Sequence, residues 1–240
     1  MSSTPRIRTN VRCIMIEIKK LREPKRLEQY RQKPGATYAD MDKDEENKDL
    51  KKEVLESLMF EQGHLCAYCM RRIPEKRKFP LGVQPVTIEH WYPQNPETKE
   101  DIGQGLDYRN MFAVCAGNRG CGDKRNLTCD AKRGNTELKV NPSKANTLIG
   151  ISYKANGEIY STDAAINEDL NKRLNLNCQA VSLPQSRKAA LNGLLKDIKK
   201  QHATGDIKIY CKRRLEELKQ PQEYKVPYIG ILIDWLEKHT

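Results

Sequence analysis

Two cysteines three positions apart, Cys66 and Cys69, followed by single cysteines at Cys115, Cys121 and Cys129, constrain this chain more than any other feature. A CxxC turn presents two thiolates from one knuckle, and zinc takes four such soft ligands in a tetrahedron. A second pair downstream lets the chain close a long loop around the metal and fold about it. Between the pairs lies an acid–histidine dipeptide, Glu89-His90, leading into Trp91-Tyr92-Pro93. Three cysteines compete for two places in the second pair. We favour Cys115 with Cys129, because each abuts a piece of the surrounding pattern: Met111 to Val114 runs into the first, and Asp130-Ala131-Lys132-Arg133-Gly134 follows the second. Cys121 sits inside a polar, glycine-bearing excursion, Ala116 to Thr128, and is the rival ligand.

Composition says why a metal would help. Of 240 residues only 38% are apolar and 6% aromatic, which predicts a modest core. In such a chain the free energy of zinc binding becomes folding free energy. Lys and Arg number 43 against 32 acidic residues, a formal charge of +11. That excess favours polyanionic partners without choosing among DNA, RNA and an acidic protein surface. Met1 to Arg12 is polar, carries Arg6, Arg8 and Arg12, and lacks the apolar segment of a secretory signal. The longest apolar run, Tyr228 to Leu236, is broken by Gly230 and Asp234, and spanning a bilayer takes roughly 20 apolar residues. A soluble cytoplasmic protein is the expectation, in a compartment where cysteine pairs hold metal more often than disulfides. Met15 offers an alternative start, which would make residues 1–14 a dispensable leader. Cys13, Cys178 and Cys211 lack partner spacing and read as ordinary thiols; His64, two residues before Cys66, is a rival to a cysteine as ligand but reads first as an exposed residue at a helix end.

The hydrophobic pattern divides the chain into four parts. Residues 1–45 are charged and broken by Pro24 and Pro34-Gly35, and read as an N-terminal extension. Residues 46–142 form the core region. It opens with a helix from Glu46 to Gln62, on which Leu50, Val54 and Leu58 recur at i+4 and after which Gly63 can cap. Val83 to His90 and Met111 to Cys115 read as short strands separated by a polar loop over 94–109, and Cys129 to Asn135 as a short helix or turn. Residues 143–164 contain a hairpin closed by Asn156-Gly157, and 165–240 are predicted helical, with three amphipathic segments.

The middle region carries residue types suited to phosphodiester hydrolysis. Histidine titrates near neutrality, so His90 can serve as a general base. Such assistance contributes about 10²–10⁴-fold, whereas enzymes accelerate by about 10⁶-fold or more, so a hard cation would have to supply much of the rest. Adjacent strand residues diverge, which would leave the Glu89 carboxylate for a metal while His90 faces the attacking water. Asp130, beside a zinc cysteine, offers a second carboxylate. Arg71 and Arg72 after the first knuckle, with Arg119, Lys132 and Arg133 around the second, would border the site and grip phosphate without reading sequence.

At these residues the chain resembles the HNH endonucleases of the ββα-metal, or His-Me finger, fold. The likeness rests on Cys66 and Cys69, Glu89-His90-Trp91-Tyr92-Pro93, Asn110, Cys115, and Cys129-Asp130-Ala131-Lys132-Arg133-Gly134. It implies an α+β chain with a zinc-stapled ββα-metal core, an N-terminal helix and a helical C-terminal module. It also implies His90 as general base, Glu89 and Asp130 as ligands of a catalytic Mg²⁺ or Mn²⁺, and Asn110 as the residue orienting the active-site loop. Two departures stand out. Asp130 occupies a place usually held by Asn or His, and 13 residues separate Cys115 from Cys129 where two is common, so Asn118 in the excursion competes with Asp130. The wider context, including Gln62-Gly63-His64-Leu65 and Leu174-Asn175-Leu176-Asn177, resembles the PtuB nuclease subunits of bacterial Septu and retron anti-phage defence systems. That likeness implies a PtuA-like ABC/SMC-class ATPase as partner and, in retron settings, a reverse transcriptase with its DNA–RNA product. The C-terminal module would then dock the ATPase. A non-catalytic zinc ribbon that binds nucleic acid, or an adaptor within such a complex, is the competing expectation.

Overall fold

The computed structural model describes residues 15–96, 104–202 and 206–240. The expected leader 1–14, Cys13 and part of the 94–109 loop, including Gly103, lie outside the described residues. The N-terminal stretch is less loop-like than its charge suggests. It forms α1, Lys25–Arg31, entered from Pro24, whose lack of an N–H costs nothing at a helix start. Leu27 and Tyr30, three apart, go to the core with Met15, Ile18 and Met41.

Helix α2, Leu50–Glu61, falls within the predicted segment and buries Leu50, Val54 and Leu58. Its end is a Schellman turn: the His64 N–H donates to Met59 O (2.8 Å) and the Gly63 N–H to Phe60 O (3.0 Å). Gly63 takes φ +63°, and a Cβ there would lie 2.4 Å from Lys225 Cγ. Glycine is thus needed twice over, for its backbone and for its size. This turn delivers the chain to the first knuckle.

Strands β1, Val86–His90, and β2, Met111–Cys115, pair antiparallel, with Glu89 opposite Phe112 and His90 opposite Met111. The Gln62 side chain covers the free edge of β2, accepting from the Ala113 N–H and donating to Ala113 O, each at 2.8 Å. Helix α3, Cys129–Arg133, follows and gives the region a ββα order. The excursion between β2 and α3 returns to its starting point because the Thr128 N–H donates to Gly117 O at 2.9 Å. Gly117, at φ +59°, approaches so closely that a Cβ would lie 2.3 Å from Thr128 O. Closure at this neck brings Cys115 and Cys129 together despite the residues between them.

Helix α4, Ala145–Leu148, leads into the hairpin of β3, Ile151–Tyr153, and β4, Ile159–Ser161. Helix α5, Ala164–Glu168, is capped by Asp163 and runs on as a π turn to Arg173. Three longer helices complete the chain: α6, Leu183–His202, α7, Ile207–Lys219, and α8, Ile229–Lys238. Packing ties these segments to the rest of the chain. One continuous apolar cluster runs from Met15 through the β1–β2 sheet to Leu236. Backbone bonds cross as well: Lys225 N–H to Gly63 O (3.0 Å), Tyr228 N–H to Met70 O (2.8 Å) and Cys129 N–H to Leu174 O (2.9 Å). The Tyr228–Leu236 segment, which from sequence could equally dock a partner or be internal core, buries Ile229, Ile231, Leu232, Ile233 and Leu236 internally. Among the described residues no helix is long and apolar enough to cross a membrane.

Candidate metal centre and the Glu89-His90 strand

The two knuckles meet. Cys66, Cys69, Cys115 and Cys129 are buried, and their sulfurs all lie within 4.8 Å of one another. Three of the separations are 3.7, 3.8 and 3.9 Å. A zinc tetrahedron with Zn–S bonds of ~2.3 Å has edges of about 3.8 Å. The donor set therefore fits a structural tetrathiolate metal such as zinc. Cys121 stands apart: it is exposed, and its Sγ contacts Asp123 O at 3.1 Å.

Local backbone bonds make the first knuckle. The Met70 N–H donates to Cys66 O (3.0 Å) and the Ala67 N–H to Ala113 O (3.1 Å), so the turn is seated on β2. Two buried guanidinium groups accompany the sulfurs. Although burial acts to lower its pKa, the charges of Cys69, Cys115 and Glu75 raise that of Arg71. Burial lowers that of Arg187, from α6, while Tyr153, Cys69 and Cys129 oppose the shift. Their hydrogen bonds go to oxygens, Arg71 to Glu75 (3.1 Å) and Arg187 to Gly157 O (2.9 Å), Asn177 Oδ1 (3.2 Å) and Leu176 O (2.5 Å), and the Nε atoms of both lack a hydrogen-bond partner. Four thiolates on a divalent ion carry a net charge of two minus, and two guanidinium groups offset it.

β1 points its last two side chains to different neighbours, as a strand must. The Glu89 carboxylate turns inward, accepts from Tyr68 Oη at 3.0 Å and pairs with Arg133. Arg133, only 3% exposed, also donates to His90 O (3.0 Å), Trp91 O (2.8 Å) and Thr136 O (2.7 Å). It is an internal clamp rather than the phosphate-gripping rim residue expected. Glu89 likewise departs from expectation. Its carboxylate is committed to Tyr68 and Arg133, and among the described residues the four cysteines are the only metal-holding group of three or more ligands. Asp130 in turn pairs with Arg119.

His90 lies on the other side of the strand, 6% exposed. Its Nε2 is 3.0 Å from Gly105 O, and its ring meets Tyr38 edge-on at 4.5 Å. Burial lowers its pKa, against the opposing effects of the Gly105 carbonyl and of Asp130. Burial thus favours the neutral imidazole, the form a general base requires. Asp130, the first residue after the last knuckle cysteine, is near enough to act on His90 and pairs with Arg119 at 2.5 Å. Asn110 bonds the backbone just after His90: its Oδ1 accepts the Tyr92 N–H (2.7 Å) and its Nδ2 donates to Tyr92 O (3.0 Å). Asn118 donates to Asn126 O at 3.0 Å within the excursion.

The remaining basic residues divide. Arg71 pairs with Glu75 at 3.1 Å, and Arg72 donates to the carbonyls of Gly63, His64 and Lys225. Both act within the fold. Lys132 is half-buried, and Lys76, Arg77, Lys78, Lys124 and Arg125 are exposed. Sequence reasoning missed Tyr38 and Tyr68. Tyr68 had a local signal, sitting inside the CxxC knuckle; Tyr38, more than 50 residues from His90, had none. No family model and no curated protein matches this chain.

Proposed function

We propose that the chain is a phosphodiester hydrolase of the HNH type, acting on DNA or on an RNA such as tRNA. The observation that supports it best is a buried histidine at the end of β1 in a ββα order, with Asp130 in electrostatic reach and, next to Asp130 in the chain, a four-cysteine group that could hold a structural metal. His90 would take the proton of the attacking water. Asn110 would hold the following loop, and Arg133 would fix the strand carbonyls so that the imidazole keeps one orientation. The family resemblance adds a catalytic Mg²⁺ or Mn²⁺. Because Glu89 is engaged by Arg133, the proposal assigns no ligand set to that ion. It includes a role as effector subunit of an anti-phage complex with an ATPase. Truncating the chain within α8 would test folding rather than docking, since that segment is core.

The test is cleavage of plasmid DNA and of total tRNA with Mg²⁺, Mn²⁺ or EDTA, by wild type and His90→Ala. The variant should stay folded and zinc-loaded and lose activity by at least the ~10²-fold of a missing base. Equal cleavage by both discards His90. A second reading, a non-catalytic zinc module that binds nucleic acid, is favoured by the engagement of Glu89 with Arg133 and of His90 Nε2 with Gly105 O. It predicts binding with no cleavage under any of these conditions.

A further inference from the structure

Immediately beyond His90 the chain enters a cleft of about 470 Å³, walled by the segment Glu17–Lys20, by Trp91 and by the turns at Asp107–Asn110 and Asn141–Lys144. Its lining joins an aromatic face to unneutralised positive charge. The Trp91 indole N–H donates to Val140 O at 2.8 Å, so its polar edge is satisfied and its plane is fixed. Its inner side packs on the core, and the Lys144 ammonium stands 5.4 Å from the ring centroid within the cleft. Lys144 is presented by a self-braced turn, in which Asn141 Oδ1 accepts from the Ser143 N–H (2.9 Å) and Oγ (2.8 Å).

Among the described residues Lys19, Arg109 and Lys144 are exposed and have no acidic partner, whereas Lys20 is held by Glu61. Two acids also line the cleft. Asp107 accepts from the backbone N–H of Arg109 at 2.9 Å, which leaves Glu17 as the acid without such a bond. A rigid ring under a movable cation, with further cations at the rim, is the arrangement that stacks an unpaired base while gripping its phosphates. A duplex keeps its base faces covered and would not use the ring.

We infer that this cleft holds single-stranded nucleic acid, one base against Trp91 and the flanking phosphates on Lys144, Arg109 and Lys19. The inference deepens the hydrolase reading and rests on it only for what happens to the strand next, at His90. It reaches a surface that no residue singled out for substrate from sequence occupies.

The chain has two tryptophans, so Trp235→Phe leaves Trp91 as the sole emitter. In a His90→Ala, Trp235→Phe background, where the strand stays intact, ten-nucleotide oligo-dT and oligo-U should quench Trp91 emission. A ten-base-pair duplex at equal saturation should not. Anisotropy with labelled oligo-dT should show Trp91→Leu raising Kd about 5- to 100-fold. Lys144→Glu, a change at an exposed residue, should weaken binding and reduce the salt slope by about 1–2. Absence of quenching at saturation overturns the inference, as does equal quenching by duplex. So does unchanged affinity in folded, metal-loaded Lys144→Glu. Quenching without any cleavage by wild type would sink the catalytic reading and leave this one standing; His90-dependent cleavage without quenching would do the reverse.

Discussion

Arg133 has five N–H donors and almost no solvent, and its neighbours are a carboxylate, three carbonyls and a tyrosine hydroxyl from three stretches of chain. A buried charge of this kind stabilises only while its partner is present. Arg133→Met leaves the buried Glu89 carboxyl without its cationic partner, and is expected to cost about 3–5 kcal/mol. The double variant Arg133→Met, Glu89→Gln should recover much of that loss. Urea denaturation of the two singles and the double measures the coupling; additive losses would mean that the pair is not a unit. At the cysteines, Cys129→Ser should lower zinc stoichiometry or abolish folding, while Cys121→Ser should retain one zinc per chain by metal analysis. Equal retention by both would remove Cys129 from the site. Cysteine roles were legible in the sequence because a CxxC knuckle is a local object. Glu89's partner was not, because it lies 44 positions away and no spacing rule ties a strand carboxylate to a helix arginine.

At the scale of elements, the N-terminal segment is attached to α2 by a desolvated ion pair, Lys20 with Glu61, which Tyr108 and the Leu21 N–H also contact. Burial raises the Glu61 pKa, against the attraction of Lys20, and lowers that of Lys20, against the attraction of Glu61. Both directions say that desolvation outweighs the pairing. The folded state then holds the Glu61 proton to higher pH than the unfolded chain does, so this group's contribution falls as pH rises through the carboxylate range. The stability of wild type relative to Glu61→Gln should therefore decline above about pH 4.3, the ordinary glutamate value, and level off once the folded-state pKa is passed. Thermal unfolding of both proteins from pH 3.5 to 7 checks the sign. A rising difference would show that the attraction of Lys20 dominates. The elements themselves were legible where apolar residues recur with a clear period, as in α2, β1, β2, α6 and α8. Helix α1 was not, since it offers only Leu27 and Tyr30 between charges and breakers and draws its stability from packing.

Over the whole molecule, the metal site is a junction rather than a local staple. The Cys129 N–H donates to Leu174 O, the Tyr228 N–H donates to Met70 O, and the buried charge of Arg187 from α6 is felt by Cys69 and Cys129. Periodicity within single segments suggested a helical C-terminal module; contacts between distant segments carry no sequence signature, and here they join those helices to the cysteine region. Two outcomes follow from a shared junction. Arg187→Met removes a cation that offsets the tetrathiolate, and by analogy with other outer-sphere partners it should weaken metal affinity by about 10- to 100-fold. Competition against a chromophoric chelator would measure this. Removing the metal altogether should loosen more than the knuckles. Structural zinc sites contribute as much as ~10–16 kcal/mol to folding, comparable to the whole stability of a domain. Hydrogen exchange after chelation should therefore show lost protection at Cys129, at Leu174–Leu176 and along α6 and α8 together. If α6 and α8 kept their protection while residues 64–73 and 115–133 opened, the C-terminal helices would be an independent folding unit after all, and the junction would be one of contact alone.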